Sequence, residues 1–266
     1  MLFRGLITIF RFGYYLTMFE IISFLTQIPV KKAAKIEDVA AKSYLFPLAA
    51  LVIGLLVSAV AFISFRFFAP IIASVLTLLT IYLITGLMHV DGLADLFDGF
   101  MASGSGKEKI RAMKDMQTGI AGTFAVVFVL LLSYAAIETV CASPFNVDLA
   151  SFYHFTSVFI LAEVSAKLSI TTCLLLGKGF EGEAGMGALF IRHFSRSKYV
   201  VALLASVLIA LLFTGSFRFL AVLTGIIVAI FISYSAKKKF GVLTGDVMGA
   251  SNELARCATL VILALL

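Results

Sequence analysis

The chain has no tryptophan, only three cysteines, three histidines and four prolines, and just 14% of its 266 residues are charged. Each shortage closes off a class of function. Water-soluble domains carry about 25% charged residues, so a chain this poor in charge is not built to face water all round. Cys141, Cys173 and Cys257 are far apart and form no C-x-x-C, which argues against a disulfide framework or a thiolate metal site. They read as small apolar residues in or near helices. No serine, cysteine or histidine nucleophile stands with an evident positioned base, so bond formation falls to a hydroxyl supplied by a substrate. Without tryptophan, any interfacial aromatic belt must come from the 26 phenylalanines and 8 tyrosines.

What is abundant is apolar length. The chain is 61% hydrophobic with a mean hydropathy of +1.09. This predicts an all-α, polytopic integral membrane protein with about seven spanning or partly spanning helices, forming a single domain over residues 1–266. The expected spans are Tyr44 to Phe65, Ile71 to Met88, Ile120 to Val140, Phe152 to Leu176, Tyr199 to Phe213 and Phe217 to Tyr234. Residues 1–28, interrupted by Arg4, Arg11, Gly13 and Glu20, suit an interfacial or re-entrant helix. Leu254 to Leu266 is short for a full span. No signal-peptide cleavage pattern is evident.

The net charge of +6 reports topology rather than nucleic-acid binding. Lys and Arg concentrate in the segments 29–43, 90–119, 177–198 and 236–253, and are nearly absent near 67–70, 141–150 and 214–217, with Arg218 the main exception. The positive-inside rule then puts all four basic segments in the cytoplasm. The expected location is the inner cell membrane, with the functional loops on its cytoplasmic side.

Those loops carry the chemistry. His89-Val-Asp91-Gly-Leu-Ala-Asp95-Leu-Phe-Asp98-Gly99 follows an apolar run directly. The spacing i, i+4, i+7 puts Asp91, Asp95 and Asp98 on one helix face. Carboxylates so placed repel unless a cation lies between them, and Mg²⁺ is a hard cation that keeps positions open for substrate phosphates. Further on, Arg111, Lys114 and Asp115 precede Gly119 and Gly122. Arg and Lys hold phosphate oxygens, and glycines admit backbone N–H groups to an anion. Lys107 and Lys109 read as topogenic charges. Glu181-Gly-Glu183-Ala-Gly185-Met-Gly187 fits either a close-approach loop or a flexible linker. In Thr244-Gly-Asp246…Glu253 the acids are two turns apart, and Thr244 can cap the helix they begin. That pair either completes a metal site or decorates a helix start. Glu163 and Lys167 lie mid-span, four residues apart. They form a structural ion pair, or Lys167 reaches a buried phosphate. Together these residues suggest phosphoryl transfer, with paired carboxylates, Mg²⁺ and cations stabilising charge on phosphate oxygens and one carboxylate acting as general base. A transporter would instead line a mid-membrane path with acids, and a scaffold would need no paired acids.

The segments Phe24 to Val30, Tyr44 to Gly54, Gly86 to Gly99, Arg111 to Gly122, Gly185 to Gly187 and Thr244 to Glu253 resemble the cobalamin (cobamide) synthases, the adenosylcobinamide-GDP ribazoletransferases. The resemblance implies an Mg²⁺-dependent membrane enzyme. It would join adenosylcobinamide-GDP to α-ribazole or its 5′-phosphate, by attack of the α-ribazole 5′-hydroxyl, and release GMP. It implies metal and pyrophosphate handling by Asp91, Asp95 and Asp98. Substrate or catalytic roles extend to Lys114, Asp115, Lys167, Asp246 and Glu253. Gln27 departs from a position that is often basic in the family. The acidic stretch is also loosely similar to the CDP-alcohol phosphotransferase signature, whose longer spacing is not met.

Overall fold

The computed structural model describes residues 18–29, 35–115, 117–142, 148–182 and 184–266. Residues 1–17, 30–34 and Glu183 lie outside them, and with them most of the expected N-terminal interfacial helix. The described part opens with a helical segment, α1, at residues 18–25. Then come α2 (Ile36–Ala41), a 3-10 turn (Ser43–Leu45), α3 (Phe46–Phe67), α4 (Pro70–Thr85), α5 (Met88–Met101), α6 (Gly106–Met113), α7 (Ile120–Cys141) and α8 (Leu149–Leu176). After these follow α9 (Met186–His193), α10 (Arg196–Thr214), a 3-10 turn (Phe217–Leu223), α11 (Thr224–Phe240) and α12 (Gly245–Leu265). Among the described residues the only extended pairing is one parallel bridge, Glu181 with Leu243. Among the described residues six helices are long and apolar enough to cross a membrane, or seven if the bent pair α4–α5 counts as one span. The protein is an all-α polytopic membrane protein, as its composition predicts.

Local chemistry sets the boundaries. Pro47 and Pro70 occupy first-turn positions of α3 and α4, where a missing N–H costs nothing. The Asp148 carboxylate accepts from Ser151 N at 2.8 Å to start α8, and Ser195 Oγ accepts from Lys198 N to start α10. Helix α8 is the pillar: 94% of its apolar window is buried, and α3, α10, α11 and α12 pack around it. A helix buried on every side shows no amphipathic stripe, and its hydroxyls turn inward onto its own carbonyls, as Thr172 does onto Leu168 O. The three cysteines are buried thiols.

Three expectations change. The segment 90–119 is not an open polar loop but holds α5 and α6. The last apolar run is not short: α12 begins at Gly245 and is continuous for 21 residues. Residues expected in the basic loop 236–253, Glu253 among them, are therefore inside a span. Lys237, Lys238 and Lys239, expected to begin that loop, form the last turn of α11. A cation that sequence reasoning passed over, Arg256, is buried deep in α12.

Candidate active site

Helices α4 and α5 meet at a bend of 96°. The hinge is Gly86, at φ 71°, with its N–H on Tyr82 O at 2.8 Å. Only glycine adopts that conformation without strain. Gln27 N donates to Ile84 O at 2.7 Å, so the N-terminal segment braces the same corner. The bend carries α5 off the direction of α4 and lays it across one end of the bundle. There the three basic loops gather. Leu243 N bonds Phe180 O at 2.8 Å, Lys239 Nζ bonds Phe100 O at 2.9 Å, and Lys237 lies 4.0 Å above the Phe180 ring.

The acids of α5 divide into different surroundings. Asp91 is exposed, and Asp95 and Asp98 are half-buried. Both oxygens of Asp98 are taken, by Gly119 N at 2.6 Å and Gly122 N at 2.8 Å. That carboxylate caps α7, where N–H groups and the helix dipole favour negative charge. Asp95 has no such donors. Burial first, then the charges of Asp91, Asp246 and Asp98, push its carboxyl up to about 6. Asp246 comes from α12, which presses on α5 at glycine: a Cβ on Gly92 would lie 3.0 Å from Asp246 Cα. One turn further along, Gly249 packs on the backbone of His89, whose Nδ1 is buried without a hydrogen-bond partner. Thr244 stands at the N-cap of α12, but its hydroxyl goes to Asp246 Oδ2 at 3.1 Å rather than to the backbone.

The remaining predicted residues fall into three places. Gly185, at φ 103°, is the N-cap of α9, and Gly187 packs so closely on Thr244–Gly245 that a Cβ would lie 2.8 Å from Thr244 C. The N-termini of α9 and α12 are thus adjacent, a pairing suited to an anion. Arg111 and Lys114 end α6 and are exposed, Lys114 near enough for its charge to act on Asp246. Asp115 is exposed and holds Gln117 N.

Lys167 and Glu253 lie below, in a buried network. Lys167 Nζ bonds Asn252 Oδ1 at 2.9 Å and Glu163 at 3.3 Å. Arg256 bonds Glu163 Oε1 and Glu253 Oε2, each at 2.6 Å. Asn252 Nδ2 bonds Glu253 Oε1, and Tyr82 Oη donates to Glu253 Oε2, each at 2.9 Å. The ion pair expected between Glu163 and Lys167 is present, within a larger set than the sequence suggested. The signal for Arg256 was its place three residues after Glu253 on one helix face. Tyr82 and Asn252 gave none.

Among the described residues no three Asp, Glu, His or Cys side chains are close enough to hold a metal ion by themselves. Mg²⁺ rarely asks for that. It binds through one or two carboxylates and completes its shell with water and substrate phosphate. Asp95, crowded by the charges of Asp91 and Asp246, can with one of them supply such a carboxylate pair.

Comparison with known proteins gives the family. Residues 17–264 match the family model described as cobalamin-5-phosphate synthase. The chain is 36% identical to the adenosylcobinamide-GDP ribazoletransferase of Methanosarcina barkeri, over 91% of this chain and 89% of that one. It is 36% identical to that of Thermococcus kodakarensis, over 93% and 98%, and 32% identical to that of Methanococcoides burtonii, over 94% and 92%. No solved structure matches. With a family model covering nearly its whole length, the chain belongs to the cobalamin-5-phosphate synthase family of transferases.

Proposed function

We propose that this enzyme joins adenosylcobinamide-GDP to α-ribazole or its 5′-phosphate and releases GMP, with Mg²⁺ at the acidic end of the bundle, facing the cytoplasm. The observation that carries the reading is Asp95, a half-buried carboxyl crowded by the charges of Asp91, Asp246 and Asp98. Negative charge in excess of the Lys114 charge that acts on Asp246 suits a site completed by a cation and a diphosphate. A pair of carboxylates drawn from Asp91, Asp95 and Asp246 would hold the ion, which would supply charge stabilisation on the phosphate oxygens. Asp98, committed to α7, fixes the orientation of α5 instead. Lys114, whose charge acts on Asp246, and Arg111, one turn earlier in α6, would bind phosphate. The adjacent N-termini at Gly185–Gly187 and Thr244–Gly245 receive a further phosphate.

A ribose hydroxyl of the acceptor attacks the phosphorus next to cobinamide. The new P–O bond forms as the P–O bond to GMP breaks, and the hydroxyl proton passes to a carboxylate of the acidic set. For an acceptor that carries a 5′-phosphate, the attacking oxygen is a different ribose hydroxyl from the 5′-hydroxyl first expected. A 5-phosphate product, as the family's description names it, keeps that oxygen esterified.

The test is GMP release by reconstituted protein given both substrates, with Mg²⁺ titrated, for the wild type and for Asp91→Asn. Release that requires Mg²⁺ and is lost in the variant supports the reading. Release that persists in Asp91→Asn at normal protein level contradicts it. Substrate-driven ion flux without GMP release would favour a transporter.

A further inference from the structure

Between the acidic end and the pillar α8 lies the buried network, and no step of the transfer touches it. Its geometry is nonetheless tied to the acids. Glu253 accepts from three residues: Tyr82 of α4, Arg256 and Asn252. Arg256 also holds Glu163 of α8 and lies 5.8 Å over the Tyr82 ring. Tyr82 is therefore fixed at both ends, its hydroxyl on α12 and its carbonyl on Gly86 N, the hinge from which α5 departs. Helix α12 carries Asp246 two turns before Glu253 and meets α5 backbone-to-backbone at Gly92. Two acid-bearing helices thus share one reference point.

A buried ion network is weak evidence for stability, because apolar packing of equal volume serves as well or better. What it adds here is a fixed relation between helices. We propose that Tyr82, through Glu253, is a positioning residue that sets the angle of α5 against α12 and so the relation of Asp91 and Asp95 to Asp246. This rests on the proposed function for its catalytic consequence, though not for its structural one.

The experiment uses Tyr82→Phe, which keeps the ring and removes one hydroxyl, in reconstituted full-length protein. Two readouts are taken. Hydrogen exchange in metal-free protein should quicken about fivefold or more for amides 86–95 while those of α8 stay unchanged. In the assay, kcat should fall about tenfold while KM for the ribazole substrate stays within about twofold, as expected when reacting groups are misplaced by a fraction of an ångström. Arg256→Lys, which keeps charge but not the two-sided guanidinium, should give the same split. If Tyr82→Phe leaves either the exchange of 86–95 or kcat unchanged, the network only holds the fold and the proposal is overturned. If the wild type releases no GMP at all, the function assignment fails, and the exchange measurement still decides the positioning of α5.

Discussion

Two sets of charges lie within a few turns of one another and are treated in opposite ways. In the buried network, each carboxylate oxygen of Glu163 and Glu253 has a donor. At the acidic end, Asp95 has neighbours of its own sign and its charge is disfavoured. The first set is complete within the protein. The second is not, which is what the proposed binding of a cation and a diphosphate requires. Asp98 marks the border: it belongs to the acidic stretch by spacing, but its partners are backbone N–H groups of α7.

Substitutions at each set can break this contrast. Asp91→Asn or Asp95→Asn should lower GMP release about a thousandfold or more while the unfolding temperature of the metal-free protein holds or rises. A fall in both would place these acids with the network. Arg256→Met should lower stability as well as kcat, by about 3–5 kcal/mol, because it leaves Glu163 and Glu253 buried with Lys167 alone of their two cations. Adding Glu163→Gln should recover part of that, read by thermal unfolding in detergent. Gly92→Ala tests the contact that joins the sets. Its Cβ would meet Asp246 backbone at 3.0 Å, so we expect about tenfold lower kcat and a loss of about 1–3 kcal/mol.

The smallest effect is one of pH. The Asp95 carboxyl sits at about 6 against an ordinary 3.8. Between those values the folded metal-free protein holds a proton that the unfolded chain releases. Stability therefore declines as pH rises through that window. Solvent screens this half-buried group, so a drop of about 2 °C in unfolding temperature is expected. Asp95→Asn should remove the slope.

Much of this was legible in the chain itself. Helical spacing put the α5 acids on one face, and the alternation of basic loops gathered them with Thr244 and Asp246 at one end. What stayed hidden was hidden for physical reasons. Glu253 set the start of the last apolar run at Leu254, and a run stopped by charge looks too short to span, although Arg256 stands three residues further on as its partner. Tyr82 in an apolar helix reads the same whether it faces lipid or a carboxylate. Asp98 keeps the period of Asp91 and Asp95, and only its distance from Gly119 and Gly122, set by tertiary packing, separates its role from theirs. The bend at Gly86 likewise depends on what braces it, Gln27 and Tyr82, rather than on the glycine alone.

That corner also bears on the lipid. The arm that ends there has 16 residues, a rise of about 24 Å, against a hydrocarbon layer roughly 30 Å thick. Its outer side is studded with exposed Ile71, Ile72, Val75, Leu79 and Leu83, so the bilayer has to thin where it meets them. A thinner layer at that corner would bring the aqueous phase closer to α5 and its carboxylates.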